Sequence, residues 1–338
     1  MTVDVSTPVE AESATLKREN VFRTERGRIL LGMFTITVLG IAAVYLFGGK
    51  DSDLVTQTVV SGLLLGGVYV LVSLGLTLIF GVLGIVNFAQ GAMLAMAMYL
   101  VYFMVSSTGM NPYFAVVLSA PIMFGFGWLV QSVLMNRLIT DEGHSRPLLV
   151  TLGLSLLITN TLLMVFGGRP QSVPSPYSGS VQVLGAIADV PRLIAFVGAV
   201  AVAAGLILIL RKSPLGLAIR AVAANGTGAS LVGVNVKRIY AMTFGLGAAS
   251  VGVAGGLLAP FTSLVPSAGD QFTTLAFVIV VLGGLGSVPG ALVGGIFIGL
   301  LQTVGSLFFP GSGPLLLVFG MFLLVLFLRP QGLFGAVK

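Results

Sequence analysis

Few side chains in this sequence can do polar chemistry, and two of them stand close together. The stretch 73–91, SLGLTLIFGVLGIVNFAQG, is apolar enough to lie in a bilayer, yet it carries Asn87 and Gln90. Residues three apart share one face of a helix, and each amide both donates and accepts hydrogen bonds. Hydrocarbon penalises such groups unless they are paired or line a wet cavity. Two uses fit the pair equally: bonding to a passing polar solute, or tying together two pieces of a broken helix. Four glycines, Gly75, Gly81, Gly84 and Gly91, are spaced so as to loosen a helix here. Gly84, Asn87, Gln90 and Gly91 are therefore candidates for the lining of a transport path.

Two further polar features interrupt apolar sequence. In TLGLSLLITN (151–160), Thr151 and Ser155 are four apart on one face; their hydroxyls suit bonds to their own backbone or a neighbouring helix, and they are kept as path candidates. In LGGLGSVPG (282–290), Gly284 and Gly286 permit close approach and Pro289 suits the opening of a helix. Segments 78–99 and 279–300 share a rhythm of apolar run, Leu-Gly, polar or Pro, and Gly-Ala, and internal repeats are frequent in transporters. The pairs Gly62/Gly66, Gly252/Gly256 and Gly295/Gly299 have the spacing of helix–helix seams and are expected to serve packing.

Other chemistries lack their residues. There is no cysteine and one histidine, His144, so thiolate catalysis and a metal centre are not expected. Gly49-Lys50 does not complete a phosphate-binding loop, so ATP chemistry belongs to another subunit and no cofactor is expected on this chain. No ionisable residue falls inside the apolar segments, with Asp270 and Lys237 at their edges. Proton-driven machines usually need such a group, which disfavours proton coupling, whereas sodium sites can be built from carbonyls and hydroxyls.

The elements that must position these residues are helices in a membrane. The 338 residues are 56% hydrophobic and 8% charged, with a mean hydropathy of +1.07; a soluble domain is about 25% charged. The expected fold is all-α and polytopic, with about ten transmembrane helices, some broken or re-entrant. The apolar segments are 29–48, 54–80, 88–106, 112–135, 148–167, 192–210, 237–259, 271–283, 290–309 and 314–329. A hydrocarbon core of about 30 Å takes about 20 helical residues; the second segment is too long and the eighth too short, so these two are expected to be the broken elements. With the N-terminus inside, 14 of the 17 lysines and arginines fall in cytoplasmic loops, leaving Lys50, Arg169 and Arg192 outside. Both termini are thus expected in the cytoplasm, as a polar tail (1–28) and a short tail (331–338) flanking a membrane domain (29–330). The basic balance is assigned to these loops, not to nucleic acid. The outer loop from Gly168 to Pro191 is expected to lack long regular structure, as a docking place for an external partner or as an inert connector.

The cytoplasmic segment 211–238 differs from the other loops. Leu217, Ala221, Ala224 and Leu231 form an apolar stripe at helical spacing, interrupted near Asn225-Gly226, with Pro214 suited to a start and Gly233 to an end. Only Arg220 decorates its middle. Attraction to lipid headgroups is then weak, and the helix suits a groove on a partner protein better.

GLTLIFGVLGIVNFAQG (75–91), TLGLSLLITN (151–160), the block 213–257, LGGLGSVPGALVGG (282–295) and LRPQGLFG (328–335) together resemble the permeases of ATP-binding cassette importers for branched-chain amino acids, with urea and short-chain amide importers close by. The resemblance implies a cell-membrane subunit that pairs with a second permease, alike or different, and with two cytosolic ATPases, and takes solute from an external binding protein. It implies that 213–233 fits a cleft of the ATPase, with Leu217, Arg220, Ala221, Asn225, Ala229 and Gly233 in the coupling region. Two positions depart from the family pattern: Gln90 stands where NFAHG has histidine, and Asn225 where an acid is common. A self-sufficient channel or sodium-coupled carrier is the alternative; it accounts for broken helices but not for 211–238.

Overall fold

A computed structural model describes residues 52–136, 145–177, 179–183, 185–309 and 311–334. The first apolar segment, the N-terminal tail, His144 and residues 335–338 lie outside the described residues. The helices are α1 (Ser52–Leu83), α2 (Gln90–Thr108), α3 (Pro112–Val130, prolonged by a π-helical turn Gln131–Met135), α4 (Ser145–Phe166), α5 (Val190–Lys212), α6 (Pro214–Ala224), α7 (Gly226–Leu231), α8 (Val236–Leu258), α9 (Ala268–Gly283), α10 (Val288–Phe308) and α11 (Gly313–Leu328). Several begin where a polar side chain accepts a first-turn amide: Asn111 from Tyr113, Ser213 from Gly216, Asn235 from Arg238 and Ser287 from Gly290. Proline follows within two residues in three of them, where its missing N–H costs nothing.

Each apolar segment within the described residues is matched by a helix. Seven helices among the described residues are long and apolar enough to cross a membrane. The other two, α9 and α11, have 16 residues each, about 24 Å. The second segment is not broken: α1 is one helix of 32 residues, about 48 Å long, and the interruption falls after it. Nor is the fold wholly α-helical. Strands β1 (Ser180–Val183) and β2 (Ala186–Asp189) form an antiparallel hairpin in the 168–191 loop, with Val181 opposite Ala188.

α1 and α8 are the buried axis, and α4 and α5 lie outside them. Hydrocarbon supplies no hydrophobic drive between helices, so contact depends on close backbone approach. α10 runs antiparallel to α1 along a glycine seam: a methyl at Gly66 would strike the Ile296 backbone, and one at Gly299 the Gly66 backbone. On another side of α1, Ser250 Oγ of α8 donates to the Leu71 carbonyl at 2.8 Å. Gly252 of α8 closes on Met123 of α3. The three glycine pairs are thus helix seams.

Candidate functional site

The first break opens where α1 ends. Gly84 adopts φ +69°, a left-handed turn that glycine enters without a side-chain penalty. Residues 84–89 are non-helical and α2 starts at Gln90. Asn87 and Gln90 are fully buried and bonded to each other: Asn87 Nδ2 donates to Gln90 Oε1 at 3.2 Å. Asn87 Oδ1 accepts from the Ala89 amide at 3.1 Å, and Gln90 Nε2 donates to the Val72 carbonyl at 3.2 Å. Val72 lies eleven residues before the end of α1, about 16 Å along it. The break therefore climbs back beside α1, and the amides pin the start of α2 to the middle of that helix. Asn87 is in the break, not on a helical face with Gln90. In this conformation both amides are engaged in the joint. Thr151 of α4 is brought to the same place, its hydroxyl donating to Leu148 O at 2.9 Å with Val86 O at 3.5 Å. Ser155, one turn on, is half-buried.

α2 and α9 both begin inside the bundle, and they begin together. Gly91 lies against Gly269 so tightly that a methyl on either would overlap the other's carbonyl. The Gly91 amide donates to Thr273 Oγ1 at 2.9 Å, and Phe272 meets Tyr69 of α1 edge-on at 6.2 Å. Asp270, at the edge of its apolar segment in the sequence, follows directly on this junction. Residues 259–267, between two apolar segments, turn back into the bundle. Leu264 is fully buried there, and its carbonyl accepts from Tyr99 Oη at 3.2 Å. Asp270 consequently stands in the first turn of α9, alongside the middle of α1. It is exposed, as are Gln271 and Thr274 on the same helix. No sequence pattern signalled this polar face, because it depends on where α9 starts relative to α1.

The second break follows α9. Gly284 has φ +99° and Gly286 φ +79°, and Pro289 occupies the first turn of α10. Ser287 caps that helix, accepting from the Gly290 amide at 3.2 Å. Gly286 packs on Gly81 in the last turn of α1, so both breaks border the same end of α1. The C-terminal LRPQGLFG motif returns to this break: Leu333 N donates to Leu282 O and Phe334 N to Gly283 O, each at 2.9 Å. A cavity of about 350 Å³ adjoins the break, bordered by Thr77 and Gly81 of α1, Arg211 of α5, Arg220 of α6, Gly286 and Pro289. Gly286 and Pro289 thus meet Arg220, whereas Asn87, Gln90 and Thr151 form a separate cluster.

The segment 213–235 is two short helices hinged at Asn225, whose Oδ1 accepts from the Gly228 amide at 2.8 Å. Gly216, Ile219, Val222 and Ala229 turn towards the bundle. The stripe read from the sequence faces the other way, with Leu217 62% and Leu231 84% exposed, and Ala221, Ala224, Asn225 and Gly233 also exposed. Arg220 donates to the Leu210 carbonyl at the end of α5, and so fastens α6 to α5. Ala229 is the coupling candidate that is buried. Both faces of this segment are apolar, and only the outward one is unpartnered among the described residues.

At the opposite end of α1, a recess of about 730 Å³ opens between α1 and the β-hairpin, with Asp53, Gln57, Asp189 and Arg192 in its walls. Gln57 clasps Ile187 of β2, donating to its carbonyl at 2.8 Å and accepting from its amide at 2.7 Å. Arg192 pairs with Asp189 at 3.3 Å. A second recess of about 250 Å³ shares Ser61, Leu64 and Arg192 and descends to Val68 and Thr262, next to Tyr69 and hence to the start of α9.

The family model "Branched-chain amino acid transport system / permease component" matches residues 58–328, and the chain belongs to that family of multi-pass cell-membrane permeases. It is 30% identical over 295 residues to the high-affinity branched-chain amino acid transport system permease protein BraD of Pseudomonas aeruginosa, covering 82% of this chain and 95% of that one. Against the corresponding protein LivH of Escherichia coli it is 30% identical over 294 residues, again 82% and 95%. The probable branched-chain amino acid transport permease protein LivH of Methanocaldococcus jannaschii is 28% identical over 304 residues, 84% and 94%. No solved structure matches the chain.

Proposed function

We propose that this chain is a permease subunit of an ATP-binding cassette importer that moves branched-chain amino acids or a similar small polar solute. It works with a second permease, alike or different, two cytosolic ATPases that hydrolyse the ATP, and an external binding protein that docks beside the hairpin and the recess at Arg192. About ten membrane passes, counting the first apolar segment and the half-helices, place both termini in the cytoplasm. The observation that carries the reading is the double-faced segment α6–α7. Its inner face is built into the bundle through Ile219, Val222 and the Arg220–Leu210 bond, while its outer face presents Leu217, Ala221 and Leu231 without a partner. A push on that outer face is transmitted to α5 and to the break at Gly286, which shares a cavity with Arg220.

Alternating access then consists of moving the half-helices relative to α1, with no covalent step. The exposed face Asp270, Gln271 and Thr274 lies at a depth where lipid would penalise it strongly, so it lines the water-filled path, where Asp270 offers a partner to a solute ammonium. The case against proton coupling therefore rests on the family, since an interior acid is present.

Reconstitution tests this. The chain alone in liposomes should not accumulate leucine, and addition of its ATPases, partner permease and binding protein should produce ATP-dependent uptake. Uptake by the chain alone would favour the channel or sodium-coupled carrier. Asn225→Arg or Ala221→Trp should abolish solute-stimulated ATP hydrolysis in the full complex while leaving membrane insertion unchanged; unaltered coupling would show that α6–α7 does not transmit the ATPase stroke.

A further inference from the structure

The cavity beside the second break has a composition that a mere gap between helices does not need. Thr77, 1% exposed, lines it, and its Oγ1 is buried without a hydrogen-bond partner. A buried hydroxyl left unsatisfied costs about 1–3 kcal/mol, and in a bilayer it ordinarily bonds its own helix or a neighbour. Two guanidiniums, Arg211 and Arg220, border the same cavity, and no carboxylate among the described residues does. Arg220 spends one donor on Leu210 O, and a guanidinium has five. α10, which begins at the wall with Ser287 and Val288, turns the positive end of its dipole to the same side. The remaining lining is aliphatic, including Val82, Ile207 and Ile219. The volume of about 350 Å³ is at the small end of the range of roughly 300–1,000 Å³ found for small-molecule pockets.

We infer that this cavity binds a small aliphatic monocarboxylate. Its carboxylate pairs with Arg211 and Arg220 and accepts from the Thr77 hydroxyl, and its body lies against the aliphatic wall. The charge balance selects against a zwitterion: two cations and no acid leave an ammonium group without a partner and repel it. A neutral analogue loses the charge-assisted bonds that guanidinium makes with carboxylate. One wall is α6 and another is the break at Gly286–Pro289, so an occupant ties the two together and opposes their relative movement. That consequence for transport rests on the permease reading; the binding itself does not.

Equilibrium dialysis of labelled isocaproate against the purified chain in nanodiscs of uncharged lipid tests the site without any partner subunit. Saturable binding is expected. Arg211→Gln should weaken it about tenfold and Thr77→Val, nearly isosteric, about threefold. Leucine and isocaproamide, which add an ammonium or remove the charge, should each bind at least about tenfold more weakly. Absence of saturable binding, indifference to both substitutions, or leucine binding as well as isocaproate overturns the inference. So does displacement of isocaproate by phosphatidylglycerol in the nanodisc, which assigns the site to an anionic lipid. Thermal unfolding of each variant separates lost binding from lost folding, and the ligand series needs no variant. Because no ATPase is involved, a negative result leaves the importer reading standing, and absent ATP-dependent uptake leaves this one standing.

Discussion

The two breaks in the helical bundle open alike and serve differently. Each follows a helix directly on a glycine with positive φ, Gly84 at +69° and Gly284 at +99°. Each borders the same end of α1, and each ends at a helix set against α1. The first is sealed: Asn87 and Gln90 bond to each other, Gln90 also bonds to Val72, and Gly91 closes on Gly269 with no room for a methyl. The second has backbone contacts just as close, Gly283 on Gly290 and Gly332 on Gly284, but no buried amide pair: a serine cap and two backbone bonds from the C-terminal segment hold it, and one side of it is cavity. A buried amide pair loses about 1–3 kcal/mol for each partner left unmade, so the first break resists rearrangement. The second has no buried amide pair to undo, and it shares its cavity with α6. Helix interruption alone therefore does not mark a moving part; what the freed polar groups bond to does.

Substitutions at the two sites should separate along that line. The largest effect is expected for Gly91→Val, whose side chain would meet the Gly269 backbone and the Thr273 hydroxyl. Overpacking costs about 1–3 kcal/mol even where side chains can shift, and here the loss should exceed that range, read as loss of monodisperse protein on detergent extraction. Next, Gln90→Leu strands the Asn87 amide and should destabilise by about 2 kcal/mol, read as a lower unfolding midpoint together with reduced uptake by the assembled complex. A normal midpoint with lost uptake would instead return Gln90 to contact with solute. Gly84→Ala imposes a left-handed residue and should cost about 1 kcal/mol; Gly284→Ala, at φ +99° and ψ 122°, should cost about 1–3 kcal/mol. The comparison is sharpened if the first shows in the unfolding midpoint and the second in the ratio of solute moved to ATP hydrolysed. Ser287→Ala removes only a helix cap, about 1 kcal/mol or less. It should leave the midpoint nearly unchanged while altering uptake, and equal insensitivity of both would make the second break as static as the first.

Much of the scaffold was legible in the residues. Long apolar runs, sparse charge and caps such as Ser213-Pro214 located the described helices to within a few residues, because hydrocarbon requires each segment to satisfy its own backbone. Glycines four apart marked real seams for the same reason. The site was less legible. The length of 54–80 suggested a broken helix, but a long helix is accommodated by tilt or overhang as readily as by a break. The stripe through Leu217 and Leu231 was visible, yet whether it faced the bundle or a partner was not, since Ile219 and Val222 supply a second apolar face.

What the sequence by itself determined is the class of molecule, the order and approximate ends of its helices, and the membership implied by its motifs; these follow from local composition and spacing. What only the tertiary structure decided is depth and pairing. Asp270 reads as an edge residue beside a short apolar run, and becomes an interior one because residues 259–267 fold back and Gly269 meets Gly91. Asn87 and Gln90 read as a pair suited equally to bonding a solute or tying a broken helix, and become a latch because Val72 stands opposite Gln90. Both outcomes depend on contacts between residues far apart in the chain, which local composition and spacing do not specify.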